Sequence, residues 1–133
     1  MDFENLQVGL KNSGEMPVTE KDTAIFVGSG SLKVLATPKM VALMEKVSAE
    51  LAEKNLPEDF TSVGISLNVE HIAPTPIGMK IRVESELVEV SGKKLTFEVA
   101  AFDEAEKIGK GRHERFIVNG KKFQTKADGK FSG

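Results

Sequence analysis

The chain has 133 residues, 40% hydrophobic and 29% charged, a composition that suits one soluble domain with one core. Its formal net charge of -2 lacks the basic surplus of a general nucleic-acid binder, and no apolar run reaches the roughly 18 residues of a membrane span. Cysteine, tryptophan and tyrosine are absent. That removes disulfides, thiolate chemistry and cysteine-ligated metals, and it leaves little for stacking on bases.

The first segment, MDFENLQVGLKN, lacks the basic-then-apolar pattern of a signal peptide, so a cytoplasmic protein is expected. Residues 1–16 read as an irregular lead-in and residues 17–23 as a short edge strand, where Pro17 is tolerated. Val27-Gly28-Ser29-Gly30-Ser31 reads as a flexible loop. Thr37 suits a helix N-cap and Pro38 a first helical position. Val41, Met44, Ser48 and Leu51 recur at helical spacing, Met40, Leu43 and Val47 widen the stripe, and Asn55 with Pro57 stops it. The expected helix covers residues 38–54.

Beyond the helix the period changes to two. Val63, Ile65, Leu67 and Val69 alternate with small or polar residues, and residues 73–78 form a turn. A second strand starts at Met79, and its phase slips near Leu87-Val88, which suggests a bulge. Ser91-Gly92-Lys93-Lys94 reads as a hairpin turn. Leu95, Phe97, Val99 and Ala101 form a third strand, Asp103 to Glu106 a turn, and Ile108 to Asn119 a fourth strand with Gly109 and Gly111 inside it. Residues 121–133 read as a frayed basic tail. A short strand, a long helix and four antiparallel strands make an α+β domain over residues 1–133, with the sheet curled around the helix.

Four features could carry chemistry. Glu45 sits at the border of the apolar stripe, where a plain surface carboxylate is the bland alternative. His71 shares parity with Ile65, Leu67 and Val69, and a strand-end histidine held by a carbonyl is its bland alternative. Thr37 caps a helix whose free N–H groups could also hold an oxyanion. His113 and Arg115 share one strand face opposite Glu114, most simply a solvated face. Two histidines without cysteine make a metal site unexpected, and the Gly28-Ser29-Gly30 loop lacks the Gly-Lys-Ser/Thr of a phosphate loop.

Together these stretches resemble a known family. Ala36-Thr37-Pro38-Lys39-Met40-Val41-Ala42-Leu43-Met44-Glu45 looks like the helix of hotdog-fold thioesterases related to fluoroacetyl-CoA thioesterase. Val69-Glu70-His71-Ile72-Ala73-Pro74-Thr75-Pro76-Ile77-Gly78 resembles that family's V-x-H-x-A-x-T-P-x-G stretch, and Ile108-Gly109-Lys110-Gly111-Arg112-His113-Glu114-Arg115 its I-G-x-G-x-H-E-R stretch. The resemblance implies a hotdog fold, with a long helix wrapped by a curved antiparallel sheet of about five strands. It implies an acyl-CoA thioesterase that releases a small acid and CoA without a cofactor beyond the CoA of its substrate. Thr37, Glu45 and His71 match the family's catalytic group, Gly64 a glycine that approaches the thioester, and Arg115 a substrate-binding arginine. A homodimer with the acyl-CoA site at the subunit interface is likewise implied. The chain departs from the pattern before the helix, where fluoroacetyl-CoA enzymes carry phenylalanines and this chain has Gly28-Ser29-Gly30-Ser31. By sequence, Lys93, Lys94, Arg112, Lys121 and Lys122 are the nearest positive charges for the CoA phosphates. The alternative is a non-catalytic acyl-CoA or small-ligand binding protein on the same fold. A dehydratase or hydratase is disfavoured because the histidine–aspartate arrangement of those enzymes is not seen.

Overall fold

The computed structural model describes residues 3–132, so Met1 and Asp2 of the expected lead-in and Gly133 of the expected tail lie outside the described residues. In chain order the elements are β1 (Lys11–Pro17), α1 (Ala24–Val27), α2 (Thr37–Glu53), β2 (Phe60–His71), β3 (Lys80–Ser91), β4 (Lys94–Phe102), β5 (Lys107–Asn119) and α3 (Gly120–Asp128). Single 3₁₀ turns occupy Glu20–Asp22 and Gly129–Ser132. The strands form one antiparallel sheet in the order β1-β3-β4-β5-β2. The long helix α2 packs on one face of it, which is the hotdog arrangement.

The helix buries Met40, Leu43, Met44, Val47, Ser48, Leu51 and Ala52, the stripe its spacing dictates. The inner face of the sheet answers with Ile81, Val83, Leu87, Leu95, Phe97, Val99 and Ile117. A buried polar pair in this contact is satisfied: Ser48 Oγ lies 2.8 Å from Ser85 Oγ and donates at 2.9 Å to the Met44 carbonyl. The bulge expected near Leu87-Val88 is present, as a register shift between Leu87 and Glu89.

Two ends of the chain differ from expectation. The lead-in contains β1, which pairs with β3 from Lys11↔Glu86 to Pro17↔Lys80. Its inner positions are Asn12, Gly14 and Met16, too polar and small to signal a strand. The helix explains them: a Cβ on Gly14 would sit 2.8 Å from Val47 Cγ2, and Asn12 Nδ2 donates at 3.0 Å to the Val47 carbonyl. The strand expected over residues 17–23 gives way to the 3₁₀ turn, where the Asp22 carboxylate accepts from the Thr19 N–H at 2.8 Å. The expected frayed tail contains α3, capped by Asn119 Oδ1 accepting at 3.1 Å from the Lys122 N–H. None of its residues is buried, so it carries no apolar stripe to read.

The second register shift, between Gly64 and Ser66 in β2, has no counterpart in the expected elements. Before it, Ser62 and Gly64 pair with Ile117 and Arg115; after it, Leu67, Val69 and His71 pair with His113, Gly111 and Gly109. Even-numbered residues therefore face the helix before the bulge and odd-numbered ones after it. Val63, expected on the inner face, pairs with the outer Phe116.

The glycines of β5 let β2 and α2 approach. A Cβ on Gly111 would lie 2.5 Å from the Asn68 carbonyl oxygen and 2.9 Å from Val69 Cα, whereas one on Gly109 would meet Met40 Sδ at 2.5 Å and the Glu70 carbonyl at 3.2 Å. Backbone cannot yield as a methionine side chain can. Gly111→Ala is therefore expected to cost about 2 kcal/mol and Gly109→Ala less. Urea midpoints in the order wild type, G109A, G111A check this, and the reverse order of the two variants contradicts it.

Candidate active site

The first turn of α2 is held by Ala36, whose carbonyl accepts from the Lys39 and Met40 N–H groups at 3.0 and 3.2 Å. Ala36, not Thr37, is the N-cap, and no side chain makes the cap hydrogen bond. Pro38 in the first turn costs nothing there. The expected capping role of Thr37 is thereby corrected, and its hydroxyl is free for another partner. Thr37 Oγ1 lies 2.7 Å from Nδ1 of His71, the last residue of β2. The Ile72 N–H anchors that strand end by donating to the Ile108 carbonyl at 2.7 Å.

Burial pushes the His71 imidazole below the ordinary histidine range, against a smaller upward pull from the Ala73 backbone. A neutral imidazole can accept the threonine proton at Nδ1 and then carries its own hydrogen on Nε2. Among the described residues, that Nε2 is buried with no hydrogen-bond partner. Thr37 and His71 share a cavity of about 340 Å³ whose walls include Ala24, Ser29 and Val34. A hydroxyl against an unprotonated imidazole is the signature of an activated oxygen nucleophile.

A second cluster lies further along the helix. Gly64 stands at its centre: a Cβ there would meet His113 Cε1 at 3.2 Å, Glu45 Oε2 at 3.3 Å and Arg115 Nη1 at 3.5 Å. Glu45 is half-buried, while His113 and Arg115 are buried. The solvated face expected for His113 and Arg115 is thus the inner face, and the odd-numbered parity of Ile117 sets it. Arg115 donates from Nε to Ser62 Oγ at 2.8 Å and from Nη2 to the Ser62 carbonyl at 2.9 Å. Burial draws the Arg115 guanidinium down from its usual range, opposed by Glu45 and Glu53. Among the described residues it makes no ion pair.

The two clusters are separate within one chain. Thr37 and Glu45 are eight residues apart on α2, roughly 12 Å along its axis, and no hydrogen bond joins Glu45 to His71. The structure brings Thr37 to His71, and it brings Glu45 to Gly64, His113 and Arg115. His113, a candidate in the sequence whose simplest reading is a solvated face, and Ser62, which the sequence does not single out, complete the second cluster. Only the β2 bulge, which has no strong sequence mark, aims Ser62 at Arg115. Of the expected phosphate-binding cations, Lys94 and Arg112 lie on the outer face, 3.4 and 3.6 Å from Glu114 and Glu98. Lys121 and Lys122 begin the exposed α3. Among the described residues no three His, Asp or Glu side chains converge as a metal site, and no helix is long and apolar enough to cross a membrane.

Comparison with known proteins places this geometry. A family model described as fluoroacetyl-CoA-specific thioesterase matches residues 18–121. The fluoroacetyl-CoA thioesterase of Streptantibioticus cattleyicolor is 37% identical over 94 residues, 71% of this chain and 68% of that protein. The crystal structure of a mutant of the fluoroacetyl-CoA-specific thioesterase FlK superposes with a TM-score of 0.87 at 30% identity, covering 94% of this chain and 97% of that one. A hot-dog-like protein from Thermanaerovibrio acidaminovorans superposes with a TM-score of 0.90 at 25% identity over 100% of this chain and 99% of that one. Fold and similarity together define an acyl-CoA thioester hydrolase of the hotdog class. Within that class, the chain belongs to the fluoroacetyl-CoA-specific thioesterase family.

Two outcomes follow from the local geometry. Because Ala36 holds the helix start, Thr37→Val is expected to change stability by less than about 0.5 kcal/mol, where loss of a true cap costs about 1 kcal/mol; urea unfolding measures it. His71 and His113 are both held below the ordinary histidine range, so the unfolded chain takes up protons first as pH falls. Their contribution to stability is complete above about pH 6.5 and is lost on acidification toward and through their folded values. A urea midpoint that is level from about pH 8 to 7 and falls from about pH 6.5 to 5 is expected, and a rise over that lower interval contradicts it.

Proposed function

We propose that this chain acts as one hotdog domain in a cytoplasmic homodimer that hydrolyses small acyl-CoA thioesters. Each site combines Thr37 and His71 of one subunit with Glu45, Gly64 and Arg115 of the partner subunit. The observation that carries the reading is the 2.7 Å contact between Thr37 Oγ1 and His71 Nδ1 inside a cavity, set apart from Glu45 on the same helix. The 12-residue edge strand β2 supports the dimer. It leaves residues 64–68 exposed, Ile65 and Leu67 among them, and a long open strand edge of this kind calls for a partner strand. A two-fold pairing of β2 with itself reverses the strand, so the His71 end of one copy meets the Gly64 end of the other.

The chemistry balances without a cofactor; CoA enters only as part of the substrate. His71 Nδ1 takes the Thr37 hydroxyl proton as Oγ1 bonds to the thioester carbon. The C–S bond breaks, the sulfur leaves with that proton, and the acyl group rests on Thr37. Glu45 then draws a proton from water as the water oxygen bonds to the ester carbon; the C–Oγ1 bond breaks, Oγ1 takes that proton from Glu45, and the acid and the threonine hydroxyl are freed. Gly64 leaves room for the thioester between Glu45 and Arg115, and Arg115 supplies donors to its oxygen or its acyl substituent. The small side chains of Ala24 and Ser29 in the wall leave room for a small acyl group.

The test is thiol release from a panel of short acyl-CoAs. Glu45→Gln and His71→Ala are each expected to lower kcat by about 100-fold or more, and unchanged turnover in both overturns the assignment of the site. Rapid quenching of E45Q is expected to trap an acyl mass on the Thr37 peptide. Mixing inactive E45Q with inactive H71A tests the shared site. Heterodimers then hold one intact site and recover part of the activity, whereas a site built within one subunit stays dead. Tight acyl-CoA binding with no turnover across the panel points instead to a binding protein.

A further inference from the structure

His113 lies outside the three proposed catalytic groups, yet it is among the most buried polar side chains in the protein, at 1% exposure. Its ring packs near Phe97, with centroids 6.4 Å apart. Nδ1 is 2.9 Å from the Ser66 carbonyl oxygen, and Nε2 is 3.1 Å from Arg115 Nη1. A carbonyl can only accept and a guanidinium can only donate. One form of the ring satisfies both: the neutral imidazole with its hydrogen on Nδ1. The other tautomer sets two donors face to face at Nε2, and the imidazolium adds two like charges at that distance. Burial, the largest influence on this ring, disfavours the charged form and Arg115 acts in the same direction, against smaller upward pulls from the Ser66 carbonyl and Glu45.

The connections define what the ring does. Ser66 is the first residue after the β2 register shift, and Ser62, which holds Arg115 through two hydrogen bonds, lies just before it. His113 and Arg115 together therefore clamp both flanks of the bulge, with Gly64 between them. Arg115 Nη1 has His113 Nε2 as its only hydrogen-bond partner among the described residues, and it is the nitrogen nearest the space over Gly64. Ser62 anchors the planar guanidinium at Nε and Nη2, and His113 Nε2 supplies the third contact, the one that holds Nη1 itself toward that space.

We propose that His113 is a positioning residue for substrate binding: as the neutral Nδ1–H tautomer it ties the β2 bulge to Arg115 and aims Nη1 at the substrate space beside Gly64. The role rests on the thioesterase reading of this site. His113 touches no reacting atom in that reading, and it acts through Arg115.

The tautomer is read directly by long-range ¹H–¹⁵N correlation of the imidazole nitrogens near pH 7, with H71A assigning the two histidines. Nδ1 is expected at the shift of a protonated nitrogen and Nε2 at that of an unprotonated one; the Nε2–H tautomer or an imidazolium overturns the proposal. In kinetics, His113→Leu removes both hydrogen bonds and is expected to raise KM for a hydrolysed acyl-CoA about tenfold while kcat changes less than about threefold. His113→Gln keeps one donor and one acceptor and is expected to recover most of that loss. A folded H113L with wild-type KM, or an H113Q as impaired as H113L, overturns the role. Where H113L does not fold, the tautomer and H113Q decide. Lack of turnover by the wild type across the panel defeats the thioesterase reading alone, because the tautomer measurement needs no substrate.

Discussion

One extra residue in β2 controls the rest of the site. The register slips between Gly64 and Ser66, and a slip of one residue turns every later side chain to the opposite face. With no slip, His71 and Gly64, seven positions apart, face opposite sides of the sheet. With it, both face the helix, Ser62 meets Arg115, and the Ser66 carbonyl turns to His113. The bulge is in turn held by the side chains it organises. Two hydrogen bonds from Arg115 to Ser62 and one from His113 to Ser66 span it, so the local distortion and the polar cluster stabilise each other.

The electrostatics of that cluster follow from its partners. A guanidinium taken out of water is costly unless its donors are met. Arg115 is met by a hydroxyl, a carbonyl and an imidazole nitrogen, all neutral. They satisfy the geometry without cancelling the charge. Glu45 and Glu53 act on it from a distance rather than as ion-pair partners. The outer face is arranged differently: Lys94 and Arg112 pair with Glu114 and Glu98, where water screens what remains. The same strand thus carries compensated charges outward and an uncompensated one inward.

Where strong periodicity exists, the sequence reveals the fold. The α2 stripe, the Leu87 bulge and the inner faces of β3 and β4 follow from residue spacing, because burial selects large apolar side chains there, and the hairpin at Gly92 follows from its turn residues. Strand β1 fails that test for a physical reason: α2 presses so close that glycine and asparagine replace the apolar residues a strand reader looks for. The site is legible to a lesser degree. Thr37 and His71 are recognisable through their motifs and meet directly, while the capping role that spacing suggests for Thr37 belongs to Ala36. His113 reads as solvated because alternation alone cannot say which face of β5 is inside, and Ser62 is hidden by a bulge with no marker residue.

The separation of Thr37 from Glu45 then has a structural reason. Both project from α2, and two turns of helix keep them apart whatever the side-chain rotamers. Helix α2 is pinned at its start by the Ala36 carbonyl and along its length by buried methionine, leucine and valine side chains, which fixes that spacing. Strand β2 carries His71 at one end and Gly64 seven residues earlier, and its outer edge is unpaired among the described residues. An antiparallel copy on that edge superimposes one end on the other. In the proposed dimer, covering this exposed edge and joining the two halves of the proposed site are a single event.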